Sequence, residues 1–124
     1  MSFESTLVTA LKSHSALASL VGPRVYHHRM PEEPTLPCVV INRVGGARLH
    51  ALGGSIKAST PRFYIDLWDE DMTSVIGSSD ALEDAILTMW GTAEVNIIDV
   101  ADSEEPRGRM CRRRFDVRFT HAGR

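Results

Sequence analysis

The stretch Leu49–Asp71, LHALGGSIKASTPRFYIDLWDED, joins two unlike halves. In the second half, RFYIDLW (Arg62–Trp68), Phe63, Ile65 and Leu67 alternate with Arg62, Tyr64, Asp66 and Trp68. That is the period of two of a β-strand. Both sides carry large side chains, so the segment reads as a central strand covered at least partly on both sides. The first half belongs to a slack stretch, Gly45–Thr60, of sixteen residues with two Gly-Gly pairs and no strong periodicity. Structureless loops of that length are uncommon in compact domains and are mostly functional or disordered. Two readings stay open: a functional or disordered loop, or the flanking strands extended into a hairpin arm. The acid block Asp69–Glu70–Asp71 closes the strand and opens a helix, because carboxylates are favourable at the positive end of the helix dipole.

The flanks supply the remaining elements. Upstream, PCVVINRV (Pro37–Val44) is a buried strand rich in β-branched residues. Before it stand a proline-punctuated loop, RMPEEPTLP, and a short strand, RVYHH (Arg24–His28). From Ser2 to Leu20, the residues Phe3, Leu7, Leu11, Leu17 and Leu20 recur at helical spacing. The break near Ser13–Ser15 predicts a second short turn capped by Ser13 or Ser15, and Gly22-Pro23 stops it. Downstream, Met72, Val75, Ile76, Leu82, Ile86, Met89 and Trp90 make an amphipathic stripe ended by Gly91. EVNIIDVAD (Glu94–Asp102) is a strand and SEEPRG (Ser103–Gly108) a turn. The final strand, RMCRRRFDVRFT, places Cys111, Phe115, Val117 and Phe119 on one face and Arg112, Arg114, Asp116 and Arg118 on the other. Arg113 then points inward and needs a carboxylate from the acidic stretch. The expected architecture is an α+β domain spanning 1–124, an antiparallel β-sheet of about four to five strands with two helices packed on it.

Charge is sorted along the chain. Residues 1–65 hold seven Lys or Arg against three Asp or Glu, residues 66–105 hold twelve acids and no Lys or Arg, and residues 106–124 hold seven Arg against one Asp. Such sorting has two explanations. Either a basic strand pairs internally with an acidic neighbour, or copies dock head to tail, a heterologous contact that closes into a ring where its rotation permits.

Several function classes fall away. The longest apolar runs stop well short of the ~18 residues a membrane helix needs. The N-terminus lacks the apolar core of a signal peptide, so the chain is expected in a cytoplasm, with Cys38 and Cys111 reduced. His27 and His28 are neighbours on a strand and point to opposite faces, so they do not share a metal. The Gly-Gly pairs are not followed by Gly-Lys-Ser/Thr, and no Gly-x-Ser-x-Gly elbow occurs. No cofactor, metal site or enzymatic activity is expected. The run Arg112–Arg113–Arg114 invites a nucleic-acid reading, but a strand gives only alternate members one face, and the whole chain is acidic.

The order of LVGPRVYHHRMPEEPTLPCVVINRV, LHALGG and RFYIDLWDED, led by the helix with SALASLVG, resembles the tail completion or tail terminator family of long-tailed bacteriophages, prophages and gene transfer agents. The resemblance covers essentially the whole chain. It implies a small α+β subunit of the virion, assembled in the host cytoplasm and joined six to a ring at the head-proximal end of the tail. There it ends tail-tube polymerisation, with the tail tube protein on one face and the head connector or head-closure protein on the other. In that setting Asp69, Glu70, Asp71, Arg112, Arg114 and Arg118 are the candidates for subunit interfaces, and Arg48, His50, Leu52, Gly53, Gly54 and Lys57 for the docking loop. The alternatives are another joining protein, a head-closure or minor tail subunit, and, from a different class, a nucleic-acid-binding regulator.

Overall fold

Phe63, Ile65 and Leu67 are fully buried, and Tyr64 and Trp68 only partly so. The computed structural model describes residues 3–50, 56–88, 94–105 and 110–122. The elements are α1 (Phe3–Ser13), α2 (Ser15–Val21), β1 (Val25–His27), β2 (Cys38–His50), β3 (Ile56–Asp69), α3 (Met72–Thr88), β4 (Glu94–Glu104) and β5 (Cys111–Ala122). The strands form a five-stranded sheet in the order β1-β2-β3-β5-β4. The α+β class is as expected. One departure is that β1 runs parallel to β2, with Val25 opposite Val39, so the sheet is mixed. The loop between Arg29 and Pro37 returns the chain to the start of the next strand, which makes the parallel pairing.

The helices share one core with one face of the sheet. Leu7 and Leu11 of α1, Leu17 and Val21 of α2, and Val75, Leu82 and Ile86 of α3 pack with Val39, Ile41, Phe63, Phe115 and Phe119. Phe63 and Phe119 meet edge to face at 6.0 Å, a favoured aromatic geometry. Three helices form rather than two because the break at Ser13–Ser15 is a true restart. Its cap is neither serine but His14, whose Nδ1 accepts from Leu17 N–H at 3.2 Å. Nδ1 is therefore the unprotonated nitrogen, and Nε2 carries the proton towards Asp84 on α3, 2.9 Å away.

Of the expected α3 stripe, Val75, Leu82 and Ile86 are buried and Met72 packs beside them, but Ile76 is 51% exposed. Ile76 lies a third of a turn away from Val75 and faces outward. Met89, Trp90 and Gly91 lie outside the described residues. Asp71 caps α3, its Oδ1 accepting from Ser74 N–H at 2.8 Å.

The hairpin reading holds for the slack stretch: β2 continues to His50 and β3 starts at Ile56, with Ala47 opposite Thr60 and Leu49 opposite Ala58. A bulge at Val44 starts this extension, where Arg43 pairs with Phe63 but Gly45 with Arg62. Gly46 makes it fit. Its φ is +140°, and a Cβ there would stand 2.8 Å from both Pro61 Cα and Thr60 O, closer than such atoms tolerate. Residues 51–55 and the centre of the expected turn, 106–109, lie outside the described residues, whereas Ser103 and Glu104 belong to β4.

Candidate functional site

The sheet face away from the helices carries the arginines of β5. Because β5 sits between β3 and β4, Arg114 and Arg113 reach acids on the two neighbouring strands. Arg114 lies opposite Asp66 in register and forks onto it, Nε to Oδ1 at 2.8 Å and Nη2 to Oδ2 at 3.0 Å. The Arg114 guanidinium also lies over the Tyr64 ring at 4.2 Å, and that of Arg112 over Trp68 at 5.4 Å. Arg112 comes only within 4.0 Å of Asp66, and its Nε is buried without a hydrogen-bond partner among the described residues. Next along the strands, Arg62 forks onto Asp116 at 2.8 and 2.6 Å. Paired forks of this kind are the strongest ion-pair geometry for arginine.

The helix face holds the third pair. Arg113 points inward, as its place in the alternation requires. It forks onto Asp102 of β4 at 2.8 and 3.0 Å and donates to Ser79 Oγ of α3 at 3.0 Å. These bonds hold the Asp102 and Asp116 carboxyls below their ordinary value, through the Arg113 and Arg62 guanidiniums respectively. Bonds to Asp102 and Asp66 raise Arg113 and Arg114 in turn. Internal pairing therefore accounts for part of the sorted charge, Asp66 and Asp102 among the acids and Arg113 and Arg114 among the arginines of β5.

The expected interface residues fall in two places. Asp69 is 8% exposed and accepts from Glu70 N–H at 2.8 Å. Glu70 is exposed, and Asp71 is engaged as the α3 cap, whose Ser74 contacts lower its carboxyl. Arg112 and Arg114 are on the bare sheet face, half-buried, and Arg118 is exposed opposite Arg62. Of the docking candidates, Arg48 and His50 sit on β2 and Lys57 on β3, while Leu52, Gly53 and Gly54 lie outside the described residues. Sequence reasoning missed the forks of Asp66 and Asp116 and the Tyr64 and Trp68 stacks. A lone acid inside an apolar alternating strand was the available signal, but its partner depends on the β3–β5 register.

Along the strands the two ends differ. Towards the arm end lie Arg48 on β2, Lys57 and Arg62 on β3 and Arg118 on β5, with Glu94 on the outermost strand. The opposite end opens into a hollow lined by Glu32, Glu33, Glu70 and Glu105 with Leu36 and Met110. Among the described residues, no group of three or more His, Cys, Asp or Glu is placed to hold a metal ion, and no helix is long and apolar enough to cross a membrane.

The family model for Tail completion protein gp17 matches residues 5–122. The chain belongs to the tail completion protein family. This is a family of structural proteins of the virion, and the tail completion chain here has a fold similar to one solved within the virion of a native gene transfer agent particle. The likeness has a TM-score of 0.78 at 16% sequence identity, over 98% of this chain and 95% of that one. No curated protein matches the chain in sequence.

Proposed function

We propose that this tail completion chain forms a ring of six copies at the head-proximal end of a phage-type tail, ends tube polymerisation there and joins the tail to the head connector. Membership of the family over residues 5–122 carries the reading. The lengthwise polarity of the sheet supports it, because a joining ring needs two chemically different ends. One end, with the β2–β3 arm, is basic, and the other is an acidic hollow. The arm, with Arg48, His50, Leu52, Gly53, Gly54 and Lys57 on or beside it, is the segment that docks onto a neighbouring ring. Arg112, Arg114 and Arg118 and the acids Glu70 and Asp71 serve lateral contacts between copies, with the buried Asp69 holding the acid turn beneath them. No enzymatic step, cofactor or membrane enters this role.

Deletion of the gene from the parent element, followed by electron microscopy before and after adding purified protein, tests it. Separate DNA-filled heads and tails, rejoined on addition, are expected, and the tails made without the protein should be overlong. Rejoining with tails of normal length throughout would favour a head-closure subunit. Normal joined particles from the deletion would refute the reading.

A further inference from the structure

The outward side of α3 is unusual for a helix of a two-layer fold. Ile76 and Leu87 are 51% and 50% exposed, and with Asp80 and Glu83 they fall at i, i+4, i+7 and i+11, one stripe of the helix. The helix Met72–Thr88 contains no basic residue. Asp80 and Glu83 form no ion pair at contact distance among the described residues; they act on Arg113 only through space, its guanidinium being held by Asp102. The stripe therefore reads apolar, acid, acid, apolar.

The bare face of the sheet has the complementary chemistry. Among the described residues Arg112 and Arg114 share one carboxylate, Asp66, which leaves one positive charge over, and Arg112 Nε is buried there with nothing to donate to. Trp68 and Tyr64 flank these arginines on the same face. The spacings agree. Two residues along a strand separate Arg112 from Arg114 by ~7 Å, against ~5–6 Å between Cβ atoms of an i,i+3 pair such as Asp80 and Glu83. Four strand residues separate Tyr64 from Trp68 by ~13 Å, against ~16 Å for eleven helical residues from Ile76 to Leu87.

We infer that the α3 stripe of one copy docks on the bare sheet face of the next, with Asp80 and Glu83 meeting Arg112 and Arg114, and Ile76 and Leu87 packing on the aromatic rings. Within one chain this contact is impossible, because α3 covers the opposite face of the same sheet. Each copy offers both surfaces, so the contact is heterologous and extends to a ring. It gives every sheet a helical layer on both sides. The inference rests on the ring reading and names the lateral partner of its arginine face.

The test uses particles assembled in cells with p-benzoylphenylalanine in place of Ile76, irradiated and mapped by mass spectrometry. Cross-links from position 76 to the β3 segment holding Tyr64 and Trp68, or to the Arg112–Arg114 segment, of a second copy are expected. The double variant Asp80→Asn, Glu83→Gln, which puts no new positive charge beside Arg113, should stay folded and lose the ability to join heads to tails. Cross-links between copies that map elsewhere would overturn this inference and leave the ring standing. Cross-links solely to another particle protein, or none between copies, would also overturn the inference, and six-fold density at the head–tail junction decides the ring separately. A double variant that joins normally would also overturn the inference.

Discussion

Asp66 and Arg114 stand opposite each other on β3 and β5, 48 positions apart in sequence, with both guanidinium bonds at 3.0 Å or less. Asp66 is 3% exposed, so its charge is carried inside the fold by arginines on a face that is otherwise open. The strand that reads as basic in sequence is thus partly neutralised, Arg114 by Asp66 on the open face and Arg113 by Asp102 on the helix face.

Asp66→Ala removes the carboxylate from beneath two arginines and leaves their charges on a half-buried face. Breaking a buried pair in this way costs about 3–5 kcal/mol. Urea unfolding of Asp66→Ala, Arg114→Ala and the double variant should show strong coupling, the double costing less than the sum. Additive losses, or a loss below about 1 kcal/mol for Asp66→Ala, would show that the fork adds little.

The low native values of Asp102 and Asp116 fix the sign of the acid response. A carboxyl lowered in the folded state contributes stability that is complete above its unfolded value, near the ordinary 3.8, and that is lost as pH falls through the folded value. Unfolding free energy should therefore be level near neutrality and fall below about pH 5. Asp116→Asn should lower the plateau and flatten the fall. An unchanged slope in that variant would contradict the assignment.

The two glycines Gly46 and Gly77 should respond oppositely to alanine. At Gly46 the Cβ would meet Pro61 and Thr60 at 2.8 Å with φ at +140°, so Gly46→Ala should destabilise by about 1–3 kcal/mol. Gly77 lies exposed in α3, and a Cβ added there would meet nothing within 4 Å, so Gly77→Ala should stabilise by about 0.5–1 kcal/mol. Thermal unfolding of both variants checks the pair, and a neutral Gly46→Ala would show that the close approach does not shape the arm.

Burial pushes the Cys38 thiol up to about 11 from an ordinary 9.0, and the side chain is fully buried. A thiol reagent at mildly alkaline pH should label Cys38 only after unfolding, while half-buried Cys111 is the site open to slow labelling in the native protein. Mapping of the modified peptides decides it, and native labelling of Cys38 would contradict its burial.

Much of this was legible in sequence where one element speaks for itself. The alternation of Arg62–Trp68 showed both faces of β3, and the β5 alternation placed Arg113 inward. What resisted reading depends on neighbours. The parallel β1 was hidden because three residues carry no direction of pairing. Ile76 fits an apolar stripe by composition, and only the packing of α3 shows that it faces out. His14 caps α2 through a ring nitrogen, outside the usual set of capping residues. The partners of Arg62, Arg113 and Arg114 follow from a strand order that brings β5 between β3 and β4, which no local pattern encodes.

The most direct measurement of the central claim is a cryo-electron microscopy reconstruction of intact parent particles focused on the head–tail junction. Six copies of this fold are expected in a ring between the tail tube and the connector, with α3 of each copy on the sheet face of the next. Density at the junction fitted by other proteins, with this chain elsewhere or absent, would contradict it.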